Sequence, residues 1–328
     1  MNATNIKNNK IPLNFPFDFI DLHTHLNILP LGIPAIVAQV FNHQINFHYL
    51  LKKFTEKKQK VLFVVNFYQL LPWTDGLETV LKQMENFTNE ISPYLDKNVK
   101  IIYQKEDLDG DYTIGLIYAL ESFRWSKNFE TELDILFDQG LRALIPVHFS
   151  SNRFGGSCNS PFLPMNLFRA KELTDEGKSL IKYLKKKKII LDLSHLHDEA
   201  ISTVNDIYQA PFMYSHIGVR DFVKSSRNLK MQNIEILHQA GGVMGMIPWK
   251  ALQKNYSTFL KIVDHLSEKQ IESVLAIGTD YGAPINTIKG MDHYENLINT
   301  INLSSLTDYL KKGILAQNAE SFLQKVLP

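Results

Sequence analysis

Phe19-Ile20-Asp21-Leu22-His23-Thr24-His25 is an apolar run that ends in two histidines two residues apart. In an extended strand, residues i and i+2 share a face, so His23 and His25 point together off the strand's end. Two neutral imidazoles held that way suit a borderline divalent cation such as Zn²⁺. The triplet alone decides nothing, because such a pair arises easily by chance. Its meaning depends on where the other His, Asp and Glu residues fall.

Outward from this stretch, strand-like apolar runs recur along the chain. They lie at Phe17–Leu22, Val61–Phe67, Thr113–Leu120, Leu141–Val147, Ile189–Leu193, Phe212–Tyr214, Gly242–Ile247 and Val274–Ile277. Short continuous runs rich in Val, Ile, Leu and Phe are what parallel strands covered on both faces look like. Helical patterns fall between them, at Leu77–Ile91, Asn128–Gln139, Thr174–Lys187, Asp198–Tyr208, Met231–Ala240 and Ser257–Ser267. Thr174 is placed to cap its helix. A further run, Val99–Tyr103, is a misplaced strand or an embellishment, and Leu303–Leu327 reads as one or two closing helices. Eight strands alternating with helices predict an α/β fold of the (β/α)8 TIM-barrel type. The competing open, doubly wound sheet needs a Gly-rich phosphate loop after an early strand, and neither Gly155-Gly156 nor Gly241-Gly242 has that spacing. Residues 1–16 read as a polar tail or approach segment, and 17–328 as a single catalytic domain.

Composition narrows the function. The 328 residues are 45% hydrophobic and 21% charged, ordinary for a globular protein. Lys+Arg at 35 against Asp+Glu at 34 leaves a net charge of +1, which makes no electrostatic case for nucleic acid or an anionic membrane. Lys52-Lys53, Lys57-Lys58 and the run Lys185 to Lys188 read as solvated helix faces. A single cysteine, Cys158, excludes an intramolecular disulfide and any CxxC site, as in a reducing compartment. Met1 to Lys10 lacks the apolar core of a signal peptide, and no run of about 18 apolar residues occurs. A cytoplasmic protein is expected.

In a barrel, functional groups sit at the C-terminal ends of strands. Here the first run ends in His23 and His25, the third in Glu121, the fourth in His148, the fifth in His195, the sixth in His216 and the eighth in Asp280. Any one of these has a bland reading as a hydrogen-bonded or turn-forming residue. Their coincidence on one rim does not. His43, His48, His238, His265 and His293 fall away from strand ends and read as structural or surface residues, and His197 as a helix cap. Asp21 and Asp192 lie inside apolar strands, where a carboxylate needs partners, so support of a ligand histidine is expected of both. Trp73, Trp125 and Trp249 are candidates for the pocket wall or for packing.

DLHTH at 21–25, ALES at 119–122, VHFSSN at 147–152, LDLSH at 191–195, YSHIGVR at 214–220, SRNL at 226–229, GGVMGM at 241–246, AIGTDYG at 276–282 and QNAESFL at 317–323 carry a resemblance. In this order the chain resembles the amidohydrolase superfamily, and within it the membrane dipeptidase (renal dipeptidase-like) family of zinc peptidases. The likeness spans nearly the whole chain. It implies a metal-dependent hydrolase barrel in which His23, His25, Glu121 and Asp280 hold one ion. Glu121, His195 and His216 would hold a second, with Glu121 bridging. His148 matches the histidine that faces the scissile carbonyl oxygen, and Arg227 the arginine that grips the substrate's terminal carboxylate. Members of the family usually carry Asp where this chain has His25, which removes one negative charge from the cluster. TDYGA also lacks the second Asp often found after the last strand.

The expected cofactor is therefore two divalent metal ions, zinc by donor type, with a single ion left open by His25. The expected reaction is hydrolysis of the amide bond of a dipeptide or a related N-acyl amino acid through a metal-bridging hydroxide. Asp280 would serve as general base, and His148 would stabilise the oxyanion. Arg227 would favour small substrates ending in a free carboxylate. A phosphodiesterase or nuclease, a lactonase or deaminase, and a non-catalytic binding protein on a degenerate barrel remain as alternatives. A basic rim would mark the nuclease, and loss of metal the binding protein. The family likeness suggests a homodimer.

Overall fold

The computed structural model describes residues 15–26, 46–68, 76–158, 171–283 and 285–328. Among them are strands β1 (Phe19–Thr24), β2 (Val61–Tyr68), β3 (Val99–Ile101), β4 (Ile114–Glu121), β5 (Leu141–Ile145), β6 (Ile190–Leu191), β7 (Met213–Ile217), β8 (Val243–Met246) and β9 (Leu275–Ile277). The helices are α1 (Phe47–Glu56), α2 (Gly76–Ile91), α3 (Phe129–Asp138), α4 (Asp175–Lys187), α5 (Ile201–Tyr208) and α6 (Met231–Gln239). They continue as α7 (Lys250–Gln253), α8 (Tyr256–Glu268), α9 (Tyr294–Asn302), α10 (Asp308–Lys312) and α11 (Asn318–Val326), with a π-helical turn, Gly313–Gln317, joining the last two.

Every strand pairing is parallel, in the order β6-β5-β4-β2-β1-β9-β8-β7. The two ends of that order meet through a parallel bridge between Asp192 and Met213, with Leu193 N donating to Met213 O at 2.8 Å. Chain neighbours are thus spatial neighbours all the way round, and the expected (β/α)8 barrel closes. The extra run settles as an embellishment. β3 pairs with Ile114–Leu116 at the start of β4, while β5 takes the same edge from Tyr118 to Glu121.

Alternation along the strands builds two apolar layers. On β2, Val61, Phe63, Val65 and Phe67 face the helices, and Leu62 and Val64 face the lumen. The lumen also takes Ile117, Ala119, Ala143, Met213 and Ala276, and its N-terminal end is stoppered by Phe322, Leu323 and Leu327. Thr174 caps α4 by accepting from Gly177 N at 3.0 Å, as its sequence position predicts. α1 and α9 are not among the expected helices, although their apolar residues recur at helical spacing. Both are aromatic- or Asn-rich, and they hold because Phe47, Leu50, Leu51 and Phe54, and Tyr294, Leu297, Ile298 and Ile301, are buried against the barrel.

Two strands slip register at their functional ends. Asp21 faces Phe63 but Thr24 faces Val65, so β1 carries one extra residue there. Tyr214 faces Met244 but Ile217 faces Met246, the same insertion in β7 around Ser215 and His216. Such bulges re-aim side chains at barrel rims. The slip in β1 lets Asp21 stay beneath Tyr294 while His23 enters the rim cluster.

Candidate metal centre

Glu121 ends β4 inside the mouth of the barrel, buried, and its two oxygens face different partners. Oε2 lies 3.7 Å from His23 Nε2 and 3.4 Å from His25 Nε2. Oε1 lies 3.3 Å from His148 Nε2, 3.2 Å from His195 Nε2 and 3.8 Å from His216 Nε2. Asp280 Oδ1 joins the first group, 3.7 Å from His23 Nε2 and 3.4 Å from His25 Nε2. All seven rim residues that the sequence singles out therefore meet around one carboxylate. Arg227 joins them: Nη2 donates to His195 Nε2 at 3.2 Å and to the His216 carbonyl at 3.4 Å, and Nη1 lies 3.9 Å from Cys158 Sγ.

The residues reach the centre by different routes. Glu121 and His216 lie within strands, and His23 sits in the β1 bulge. His148, His195 and Asp280 come from the loops that follow β5, β6 and β9. His195 and Asp280 adopt left-handed backbone, with φ of 70° and 55°, a conformation held only where the surroundings impose it. Gly282, at φ 95°, lets the loop after β9 lie on His25, where a Cβ would meet the His25 carbonyl oxygen at 2.6 Å.

Electrostatics follow from burial and proximity. Burial opposes ionisation of Glu121, but the His148 and His23 imidazoles outweigh it and hold its pKa well below the usual carboxylate range. Burial also opposes a charge on His25, yet the Asp280 and Glu121 carboxylates prevail and lift it to about 10. The pocket around His25 Nε2 thus calls for positive charge. His148 moves the other way, pushed to about 4 by burial, and is neutral near pH 7.

Two features test whether the cluster suits a divalent cation. His23 Nε2 is fully buried with no hydrogen-bond partner among the described residues, aimed between two carboxylates. His195 Nε2 and His216 Nε2 face each other at 2.9 Å, which two neutral lone pairs tolerate only with a cation or a proton between them. Three overlapping donor triads result: His23, His25 and Asp280; His23, Glu121 and His216; and Glu121, His148 and His195. Imidazole and carboxylate donors of this kind suit zinc and its neighbours. The residues fit the group.

Periodicity does not reveal what holds the imidazoles. His25 Nδ1 lies 3.0 Å from the Asn66 carbonyl, while His23 Nδ1 and His216 Nδ1 each lie 3.0 Å from Ser215 Oγ. The only signal was the serine before each histidine in LDLSH and YSH. Asp21 and Asp192 do support the ligand strands, largely through backbone: Asp21 accepts from His23 N and Thr279 N as well as from the Thr279 and Tyr294 hydroxyls, and Asp192 from Ser194 N and Ser215 N. Burial raises both carboxyls, Asp21 to about 6. Tyr68, beside Glu121 in the β2–β4 register, sets its ring edge-on to His25 at 4.9 Å. Half-exposed Phe149 packs on His148 at 3.8 Å, as a wall at the mouth. Trp125 packs on Phe123 and Trp249 against a small cluster of Ile247, Leu252 and Ile285, while Trp73 and His43 lie outside the described residues. His197 caps a short 3-10 turn by accepting from Glu199 N.

Buried imidazoles and carboxylates on the C-terminal rim of a (β/α)8 barrel define the class of metal-dependent hydrolases. Comparison with known proteins gives the particular family. The chain belongs to the membrane dipeptidase family, peptidase family M19, whose family model matches residues 16–326. Members of this class of metallopeptidases use divalent metal.

A dipeptidase of Claviceps purpurea is 23% identical over 257 residues, which is 76% of this chain and 58% of that protein. An uncharacterized protein of Acinetobacter calcoaceticus is 24% identical over 52% of this chain and 54% of its own length. The chain thus matches little more than half the length of these two relatives. Two solved structures share the fold. One, a dipeptidase described as a metallo peptidase of family M19, has a TM-score of 0.78 at 18% identity, covering 95% of this chain and 99% of that one. The other, a metallo peptidase from Rhodobacter sphaeroides liganded with a phosphinate mimic of L-Ala-D-Ala, scores 0.76 at 16% identity, covering 95% and 100%.

Proposed function

We propose that this protein is a metal-dependent dipeptidase, hydrolysing the amide bond of a dipeptide or a closely related N-acyl amino acid. The single observation that carries it is the divided reach of Glu121, one oxygen toward His23 and His25, the other toward His195 and His216. On this reading His23, His25, Asp280 and Glu121 hold one ion, and Glu121, His195 and His216 a second. Zinc is proposed for both from the imidazole and carboxylate donors. Divalent ions in that cradle supply an acidified water and polarisation of the substrate carbonyl.

The remaining steps fall to the chain's own residues. Asp280, its carboxylate reaching inward from a partly open position, accepts a proton from the attacking water and passes it to the leaving amine. Neutral His148 donates an N–H to the carbonyl oxygen as charge gathers there. Arg227, fixed at the rim by the His216 carbonyl, presents its guanidinium to the substrate's terminal carboxylate, and Phe149 shields one side of the mouth. The family match and the even charge balance favour this over a nuclease, a lactonase or a non-catalytic barrel. A reducing, cytoplasmic setting is proposed from the lone Cys158, and a homodimer from family likeness alone.

Elemental analysis of the purified chain, with a panel of dipeptides assayed for amino-acid release, tests the reading. It expects about two divalent ions per chain and turnover. Bound metal with no release from any dipeptide would overturn the substrate class, and no metal taken up on addition would overturn the enzyme.

A further inference from the structure

Ser215 stands where the two halves of the centre meet. Its Oγ lies 3.0 Å from His23 Nδ1 and 3.0 Å from His216 Nδ1, one ligand from each half, and 3.2 Å from Ser194 Oγ. The residue is fully buried. The surrounding strands are shaped to admit it. The β7 bulge spans it, and a Cβ at Gly245 or Gly278 would come within 1.8 Å or 1.6 Å of its carbonyl oxygen.

A serine hydroxyl gives one hydrogen bond and accepts two. Ser215 has two takers for its one proton apart from the imidazoles. The Asp192 carboxylate, which its hydrogen bond helps to keep ionised against burial, is one, and Ser194 Oγ at 3.2 Å is the other. With that proton placed on Asp192 or Ser194, its two lone pairs remain for His23 and His216, and both rings donate to it from Nδ1. The opposite tautomer of His23 would bury an Nε2–H that has no acceptor at hydrogen-bond distance among the described residues.

Resting on the two-ion reading above, we infer that Ser215 is a positioning residue shared by both metal half-sites, holding His23 and His216 as Nδ1–H tautomers so that both Nε2 lone pairs face the centre. One hydroxyl therefore couples the two sites. Losing it frees a ligand of each, and both ions are released together.

The test uses the full chain with histidine labelled in ¹⁵N, stripped of metal, alongside S215A and S194A. Long-range ¹H–¹⁵N correlation reads the tautomers. The wild type is expected to show Nδ1–H at His23 and His216. S215A should show both rings in mixed or Nε2–H form, and S194A should keep them, since Ser194 touches neither ring nitrogen. In parallel, zinc-loaded proteins are titrated with a chelator. S215A should release both ions at about 10–100-fold lower chelator strength, with its thermal midpoint reporting that it remains folded. Nε2–H in the wild type, unchanged tautomers in S215A, or an equal effect from S194A would each overturn the assignment. If no form takes up zinc, the dipeptidase reading fails, while the tautomers still decide the role of Ser215.

Discussion

The two ends of this barrel bury polar groups in opposite ways. At the C-terminal rim, Glu121 alone meets five imidazoles; His23, His25 and His216 are held from behind at Nδ1 by Ser215 or Asn66, and Arg227 braces His195 at Nε2. At the N-terminal end, Phe17, Phe322, Leu323 and Leu327 close the lumen, and one buried carboxylate, Glu320, sits among them. Its Oε2 has no hydrogen-bond partner among the described residues, and its support is a long bond from Gln324 Nε2 at 3.4 Å and the backbone of Phe17. Buried charge that is cross-braced marks a site built for chemistry. Buried charge that stands nearly alone is a stability cost the fold carries.

That contrast can be broken at the rim first. Removing divalent metal with a chelator should abolish dipeptide hydrolysis and lower the unfolding midpoint, because any ion bound only by the folded state stabilises it. Activity that survives exhaustive chelation would contradict a metal centre. Next, D280N should lower kcat by about 10²–10⁴-fold while metal is retained, the usual worth of a positioned proton carrier. Full turnover in that variant would remove Asp280 from the mechanism. A smaller effect belongs to Arg227. R227K keeps the charge but loses the planar fork, so KM for dipeptides should rise about 10-fold or more, with C-terminally amidated analogues hardly affected. An equal rise for both substrates would argue against a carboxylate grip.

The smallest expected effect lies at the opposite end and concerns stability alone. Burial pushes Glu320 up to about 7, against the pull of Lys60. With the folded pKa raised, the native chain keeps a proton that the unfolded chain has already lost. Stability from this group is thus full below the ordinary glutamate pKa of about 4.5 and falls as pH rises toward about 7. E320Q should be more stable than the wild type at pH 8 by about 1–2 kcal/mol after allowing for solvent screening, with the gap closing near pH 5 and kcat unchanged. Thermal unfolding at the two pH values reads it. A gap that widens on acidification would reverse the assignment.

Much of the rim was legible because a parallel strand buried on both sides must be apolar until it ends, so a His, Glu or Asp at that point stands out. This holds for Glu121 after GLIYAL and for Asp280 after LAIGT. It fails for Asn66 and Tyr68, ordinary continuations of a strand, and for Ser215, whose importance lies in two ring nitrogens brought to it from β1 and from its own neighbour. Helix α9 was also unexpected, despite apolar residues at helical spacing. Its asparagines and Thr300 have weak helical preference, and Tyr294 is fixed by Asp21 and Thr24 on a distant strand.

What the sequence determined by itself was the alternation of strands and helices, the closing of eight strands into a barrel, and the residue types gathered at one rim. Those follow from local hydrophobic pattern and from the rule that strand ends share a face. Only the tertiary structure decided how Glu121 divides its oxygens, which groups orient each imidazole, and where the bulges in β1 and β7 fall. It also set the left-handed backbone of His195 and Asp280. These depend on contacts between segments up to 273 residues apart, such as Asp21 with Tyr294, and no local pattern records them.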